Sequence, residues 1–362
     1  MIIGAVILFI AILCAIILVH EWGHFVTARR AGIKVEEFGM GFPPKAYSWV
    51  RNGVVYSLNW LPIGGFVKIY GEDGDAKDDP MSFGAKSIPT RIVVILAGVT
   101  MNFILAAVLL AFGFWYGIPS AVSDDTAKYP MRNVSVSITQ IAPGSPAESA
   151  GLKIGDAIRA FTADGARVET TEVVAVQEYI QAHKGTAITM IVARGEEMLE
   201  IPVTPRMETP AGEGAVGVAL QKTAIVSYPW YLAPFKGIEA MVSLAWLFLS
   251  TFASIVWHLI TNGKLIADIA GPVGIGALTY QVTQLGFSYI IQLAAILSIN
   301  IGIINALPFP ALDGGRAAFL LVEAVKGSPL SKVFEYRANM IGFALLMILM
   351  VLITVRDIFK LF

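Results

Sequence analysis

The sequence predicts a polytopic α-helical membrane protein of about four transmembrane helices with one inserted α+β domain. Three observations carry this fold class. Of the 362 residues, 56% are hydrophobic and only 15% are charged, against about 25% charged in a soluble globular chain; the mean hydropathy is +0.69. The apolar residues are gathered in charge-free runs, several of them near the roughly 20 residues that a membrane-crossing helix needs. Between 129 and 207 charges return, and the pattern becomes that of a small water-soluble domain.

Composition also excludes function classes. Lys+Arg 26 against Asp+Glu 27 gives a formal net charge of −1, so no positive field is available for nucleic acid. The single cysteine, Cys14, rules out an intramolecular disulfide framework. A cytosolic enzyme, a secreted disulfide scaffold and a disordered chain are all inconsistent with so apolar a sequence, and a lipid bilayer is the implied solvent.

The first span reads from 1 to 19, without a charged side chain, and its helical apolar pattern continues to Arg29 and Arg30. It lacks the basic n-region and small-residue cleavage site of a signal peptide. The second runs over 92–119, between Arg91 and Asp124. A third apolar stretch, 240–257, precedes His258. From 269 to 312 nothing is charged, but Gly271-Pro272-Val273-Gly274 and Gly286 interrupt the run and leave a helix from 289 to about 307. The last span is 338–355, closed by Arg356. In the inserted domain, Val134-Ser135-Val136-Ser137-Ile138 alternates with period two, and Pro143-Gly144, Asp164-Gly165 and Arg194-Gly195 mark turns. The expected division is 1–128, 129–207 and 208–362. Basic residues cluster at Arg29, Arg30, Lys34, Lys86 and Arg91, which places 29–91 in the cytoplasm and the amino terminus and inserted domain outside.

His20-Glu21-Trp22-Gly23-His24 reads H-E-x-x-H at the end of the first span. Residues four apart share a helix face, so both imidazoles can hold one Zn²⁺ with the Glu21 carboxylate beside the open coordination position. A hydrolytic zinc site needs a third protein ligand. His183 lies in the polar domain and His258 at an interfacial helix end, and both read as structural. Asp313, which closes the long uncharged tract, is the better candidate; the alternatives are a cap on the following helix or a pair with Arg316.

His20-Glu21-x-x-His24 together with Asn305-x-x-Pro308-x-Pro310-x-Leu312-Asp313-Gly314 resembles the site-2 protease family of intramembrane zinc metalloproteases, nearest its bacterial RseP/RasP branch. Phe38-Gly39-Met40-Gly41-Phe42-Pro43, Leu61-Pro62-Ile63-Gly64-Gly65-Phe66-Val67-Lys68 and Gly271-Pro272-Val273-Gly274 extend the resemblance from the first span to the last. It implies that Asp313 is the third metal ligand, that Zn²⁺ is the cofactor, and that the protein is a multi-pass component of the inner (cytoplasmic) membrane. Its implied substrates are single-span membrane proteins such as anti-sigma factors, or remnant signal peptides. The family's Gly-Phe-Gly loop reads Gly41-Phe42-Pro43 here. The stretch from Ile141-Ala142-Pro143-Gly144 to Gly151-Leu152-Lys153-Ile154-Gly155-Asp156 resembles a bacterial PDZ domain. Capture of a peptide ligand and steric exclusion of bulky substrates are both open for such a domain.

One metal ion shared by His20, His24 and Asp313 would put the end of the first span and the end of the 289–307 helix at the same membrane depth. With the inserted domain outside, this requires that 240–257 not cross completely; it is expected to be a surface or re-entrant segment, leaving four spans. In the expected reaction Glu21 takes a proton from water and delivers it to the leaving amine. A helical peptide bond must first be unwound, and lipid offers its backbone groups no partners. Asn305 and Asn300 are candidates to hold the substrate backbone, and Gly64, Gly65 and Phe66 to offer it a strand edge. The competing readings are a non-catalytic membrane scaffold that binds partner tails and a zinc-regulated transporter.

Overall fold

A computed structural model describes every residue except 1, 73–75, 77, 164, 196, 211, 264–269 and 362. Asp164 of the expected Asp164-Gly165 turn and the start of the uncharged tract at 269 lie outside the described residues. The chain divides into two compact units: one comprises Met1–Leu110, Phe235–Tyr280 and Leu293–Phe362, the other Ala111–Pro234 and Gln281–Gln292.

The first unit begins with α1 (Ile2–Arg30), uncharged as far as Val19 and without proline. It stops because Gly32 takes a positive φ of 67°, which lets the Ile33 N–H reach back to the Ala28 carbonyl at 2.9 Å. Two long strands follow, β1 (Val35–Arg51) and β2 (Val54–Ile69). Their link is Asn52-Gly53, both with positive φ, the residue pair that a two-residue hairpin turn favours. The strands bend, so that Gly39 is matched with Phe66 on one side and with Ser57 on the other. The first half of β1 is thereby flanked by two stretches of β2, and Gly64–Val67 is left along an edge. α2 (Ile88–Tyr116) carries Pro89 in its first turn, where a missing N–H is harmless. A Cβ on Gly23 of α1 would lie 2.4 Å from the Ala97 carbonyl oxygen of α2, so the glycine lets the two backbones touch.

The second unit is built on a seven-stranded sheet. Its elements are β3 (Ile118–Ala121), β4 (Met131–Ile141), α3 (Pro146–Ser149), β5 (Ala157–Ala163), β6 (Ala166–Glu169), α4 (Val173–Ala182), β7 (Ile188–Arg194), β8 (Glu197–Val203) and β9 (Val218–Val226). The order is β3-β9-β4-β5-β7-β8, with β6 beside β5. Val136, Ile138, Ile158, Phe161, Val176 and Met190 form its buried core, so the alternation in 134–138 does mark a strand. Ser145 caps α3 by accepting the Glu148 N–H. In the Gly155-Asp156 turn the buried Asp156 carboxylate accepts from the Lys153 N–H and from the Arg194 guanidinium, each contact within 2.8 Å. That carboxylate holds Arg194 above its ordinary pKa. β3 and β9 lie outside 129–207, yet β9 pairs with β4 from Met131↔Val226 to Ile141↔Val218. Composition changes at 207 while the pairing is non-local, so the sheet outruns the compositional boundary.

The remaining elements are α5 (Ala233–Asn262), α6 (Pro272–Leu285), α7 (Phe287–Ala306), α8 (Asp313–Lys326) and α9 (Lys332–Leu361). Two differ from expectation. The Gly271-Pro272-Val273-Gly274 segment starts a helix instead of only breaking one: Pro272 is its first residue, and the Gly274 N–H donates to Asp357 Oδ2 of α9 at 2.7 Å. Gly286, at φ 107°, then separates α6 from α7. The stretch at 240–257 lies within one continuous helix of 30 residues. Among the described residues α1, α2, α5, α7 and α9 are long and apolar enough to cross a membrane, one more than the expected four. The chain is a multi-pass membrane protein.

Candidate metal centre and active site

His20 and His24 occupy the last turns of α1, and their Nε2 atoms lie 3.2 Å apart. Asp313 Oδ2 is 3.0 Å from His20 Nε2 and 3.4 Å from His24 Nε2. The three side chains form the one group of metal-binding geometry among the described residues, with ligand atoms within 4.8 Å of one another. His183 instead stacks on Tyr179, and half-buried His258 sits against the Ser254 carbonyl of its own helix.

Asp313 reaches the histidines because of the two glycines that follow it. It is the first residue of α8, and the preceding loop folds tightly over the helix start. A Cβ on Gly314 would lie 2.2 Å from the Ala306 carbonyl oxygen, and one on Gly315 2.1 Å from that of Phe309. Ala311, at φ 75°, is held by its N–H donating to Asn339 Oδ1 at 3.0 Å. Arg316 pairs with Glu72, so it does not compete for Asp313.

The outer imidazole nitrogens are also engaged. His24 Nδ1–H donates to the Val94 carbonyl at 2.9 Å. His20 Nδ1 lies 3.2 Å from the side-chain amide of the fully buried Asn102. Asn102 Oδ1 is buried and has no other donor. With the side-chain amide turned so that Oδ1 faces the ring, Asn102 accepts from His20 Nδ1–H. Each Nε2 then presents a lone pair, the tautomer that metal-binding histidines adopt when their other nitrogen donates.

These residues fit a metal. Two imidazole lone pairs and a carboxylate oxygen converge, Asp313 Oδ2 is buried with no hydrogen-bond donor, and a cation would satisfy all three. Two nitrogens and one oxygen form a known hydrolytic zinc donor set. Space is kept by Gly98 of α2, where a Cβ would stand 2.3 Å from His24 Nε2 and 2.7 Å from His20 Nε2.

Glu21 joins His20, His24 and Asp313 in lining a cavity of about 210 Å³ that also takes in Phe66 and Arg316. The β2 edge runs beside it, since a Cβ on Gly65 would be 3.3 Å from Glu21 Cγ. Gly64 has φ 94° and would crowd the Phe42 ring if it carried a side chain. Asn300 and Asn305, half-buried on α7, are not among the residues lining this cavity. Sequence reasoning missed Asn102, Gly98, Glu72 and the role of Arg316. The available signal for Asn102 was its polarity within an apolar span.

The family model for peptidase family M50 matches residues 8–349. The chain belongs to this family, the site-2 proteases. Zinc metalloprotease RasP of Geobacillus kaustophilus is 31% identical to it over 99% of this chain and 98% of that protein. The regulator of sigma-W protease RasP of Bacillus subtilis is 31% identical over the whole of both chains. RasP of Shouchella clausii is 30% identical over 98% of each. The M50 chain is therefore a metalloprotease, and its metal is zinc.

Proposed function

We propose that this site-2 protease hydrolyses peptide bonds within or beside the transmembrane segments of single-span membrane proteins, with His20, His24 and Asp313 as zinc ligands and Glu21 as general base. The observation that carries the reading is the meeting of these four side chains in one cavity next to the β2 edge. Bound there, zinc supplies Lewis-acid polarisation of a carbonyl and of water. Glu21 accepts the water proton on its carboxylate and passes it to the departing amine nitrogen. Val94 O and Asn102 hold the imidazoles in the tautomer that leaves Nε2 free. The Gly64–Phe66 edge re-pairs the backbone of an unwound substrate, because its glycines let another chain approach closely. Asn305 and Asn300 remain candidates to steady that backbone from α7.

The topology we favour has four spans, with the site near the cytoplasmic face of the inner membrane and the PDZ-like domain outside. α5 is the exception among the apolar helices. Lys236, Ser243, Ser250, Ser254, His258 and Thr261 recur on one side of it, and Met241, Phe248, Phe252, Ile255 and Leu259 on the other. Such a two-faced helix suits the plane of the interface. An uncrossed α5 brings the ends of α1 and α7 to one depth, as a shared metal requires. For the PDZ-like domain, the half of β9 not paired with β3 lies near α4 and is the strand edge on which a peptide would add. The B. subtilis relative is named for regulating sigma-W; anti-sigma factors, together with remnant signal peptides, are accordingly the substrates we expect.

The test is cleavage of a transmembrane-helix reporter by the purified chain. Wild type should cleave and lose activity with chelator, while Glu21→Gln should keep its zinc and cleave at least about 100-fold more slowly. Turnover by Glu21→Gln at the wild-type rate would remove the general base, and chelator-insensitive reporter binding without cleavage would favour the scaffold.

A further inference from the structure

Beside the zinc-site cavity lies a larger one, of about 630 Å³, within the size range of occupied ligand pockets. The two share Glu72, Ile95 and Arg316, so the Glu72–Arg316 ion pair stands in the wall between them. On the far side Phe319, Tyr336, Met340 and Phe343 of α8 and α9 supply apolar and aromatic surface. Arg91, Glu323, Lys332 and Glu335 add charges of both signs. Arg91 Nη2 is 3.4 Å from Glu323 Oε2, but Arg91 Nε is buried and donates to nothing.

We infer that this cavity is a subsite for the juxtamembrane flank of the polypeptide substrate, on the side of the membrane where α1 ends, entered from the zinc-site cavity past the Glu72–Arg316 pair. The inference rests on the protease reading above. Mixed apolar and charged walls match the stretch in which a transmembrane segment gives way to polar chain. The threshold can part readily: the Arg316 side chain is 36% exposed, and ion pairs in contact with water are weak. An extended flank in the cavity would hold the scissile bond in register over Glu21.

Two reporters test this with the full zinc-loaded chain in lipid nanodiscs. They share one transmembrane segment; one keeps a charged ten-residue flank and the other ends at the membrane surface. Met340→Trp narrows the cavity away from the metal. It should lower the ratio of kcat/KM for the long reporter over the short one by about tenfold, with zinc content unchanged. In parallel, benzoylphenylalanine incorporated at Phe343 of a Glu21→Gln chain should cross-link to the flank; this arm decides if Met340→Trp fails to fold. An unchanged ratio at normal zinc content, or cross-links to lipid or to the transmembrane segment alone, would overturn the subsite. Wild type that cleaves neither reporter would overturn the protease reading and the subsite with it.

Discussion

Asn102 of α2 and His20 of α1 meet at 3.2 Å in a place closed to solvent, and on the proposed ligand assignment that contact sets which imidazole nitrogen is free for the metal. Asn102→Leu keeps the volume and removes the acceptor. Zinc affinity should fall by about 10- to 100-fold, read by competition with a chromogenic chelator, while the helical circular dichroism of the detergent-solubilised chain is retained. Wild-type affinity in this variant would reduce Asn102 to an ordinary interhelical contact.

Gly98 is predicted to be intolerant for a steric reason. The Cβ of Gly98→Ala would fall 2.3 Å from His24 Nε2, the atom proposed to hold the cation. Bound zinc, measured by atomic emission on the purified chain, should drop by about tenfold or more. An alanine variant with full zinc occupancy would mean that α1 and α2 can separate there at little cost.

Glu72 and Arg316 form part of the wall of the proposed metal-site cavity, and each should be more sensitive alone than in company. Glu72→Arg and Arg316→Glu are expected to depress reporter cleavage singly, and the exchanged double variant to recover much of it, a coupling of about 0.5–3 kcal/mol. Additive losses would show that the pair does not act as a unit.

In the inserted domain, Asp156 is almost fully enclosed and depends on Arg194. Arg194→Met leaves the carboxylate buried and unmatched, which should destabilise the domain by about 3 kcal/mol. Limited proteolysis of the full chain should then cut the domain at lower temperature without releasing zinc. Unchanged protease resistance would show that water reaches Asp156.

The topology of α5 is open to labelling. With Cys14 replaced, a cysteine at Gly263, just past α5, should react with an impermeant maleimide added outside intact cells. Reaction only after the membrane is opened would establish five crossings, and the shared depth of α1 and α7 would need another explanation.

The spans were legible because lipid forbids charges over long runs, and the His20–His24 pair because four residues make about one helical turn. Other features depend on what periodicity does not register. The β1–β2 hairpin follows from Asn52-Gly53, a turn signal inside a stretch too irregular in pattern to announce strands. α6 starts where Gly271-Pro272 reads as a breaker, because Asp357, far along the chain, satisfies its first turn. β9 completes a sheet whose other strands lie beyond a change of composition. Asn102 and Gly98 matter only once two helices are packed. Asp313 can be singled out as the residue that ends an uncharged tract, but its distance to the imidazoles is a property of the tertiary fold.

The crowding of Gly314 and Gly315 against the carbonyls of Ala306 and Phe309 has a consequence for biosynthesis. On the proposed ligand assignment, the last donor atom emerges from the ribosome about 290 residues after His24 and is set in place only when the loop ahead of it has closed. A nascent or prematurely terminated chain thus owns two imidazoles and no working centre. Hydrolytic power arises late, and neighbouring proteins in the same bilayer are spared a half-made scissor.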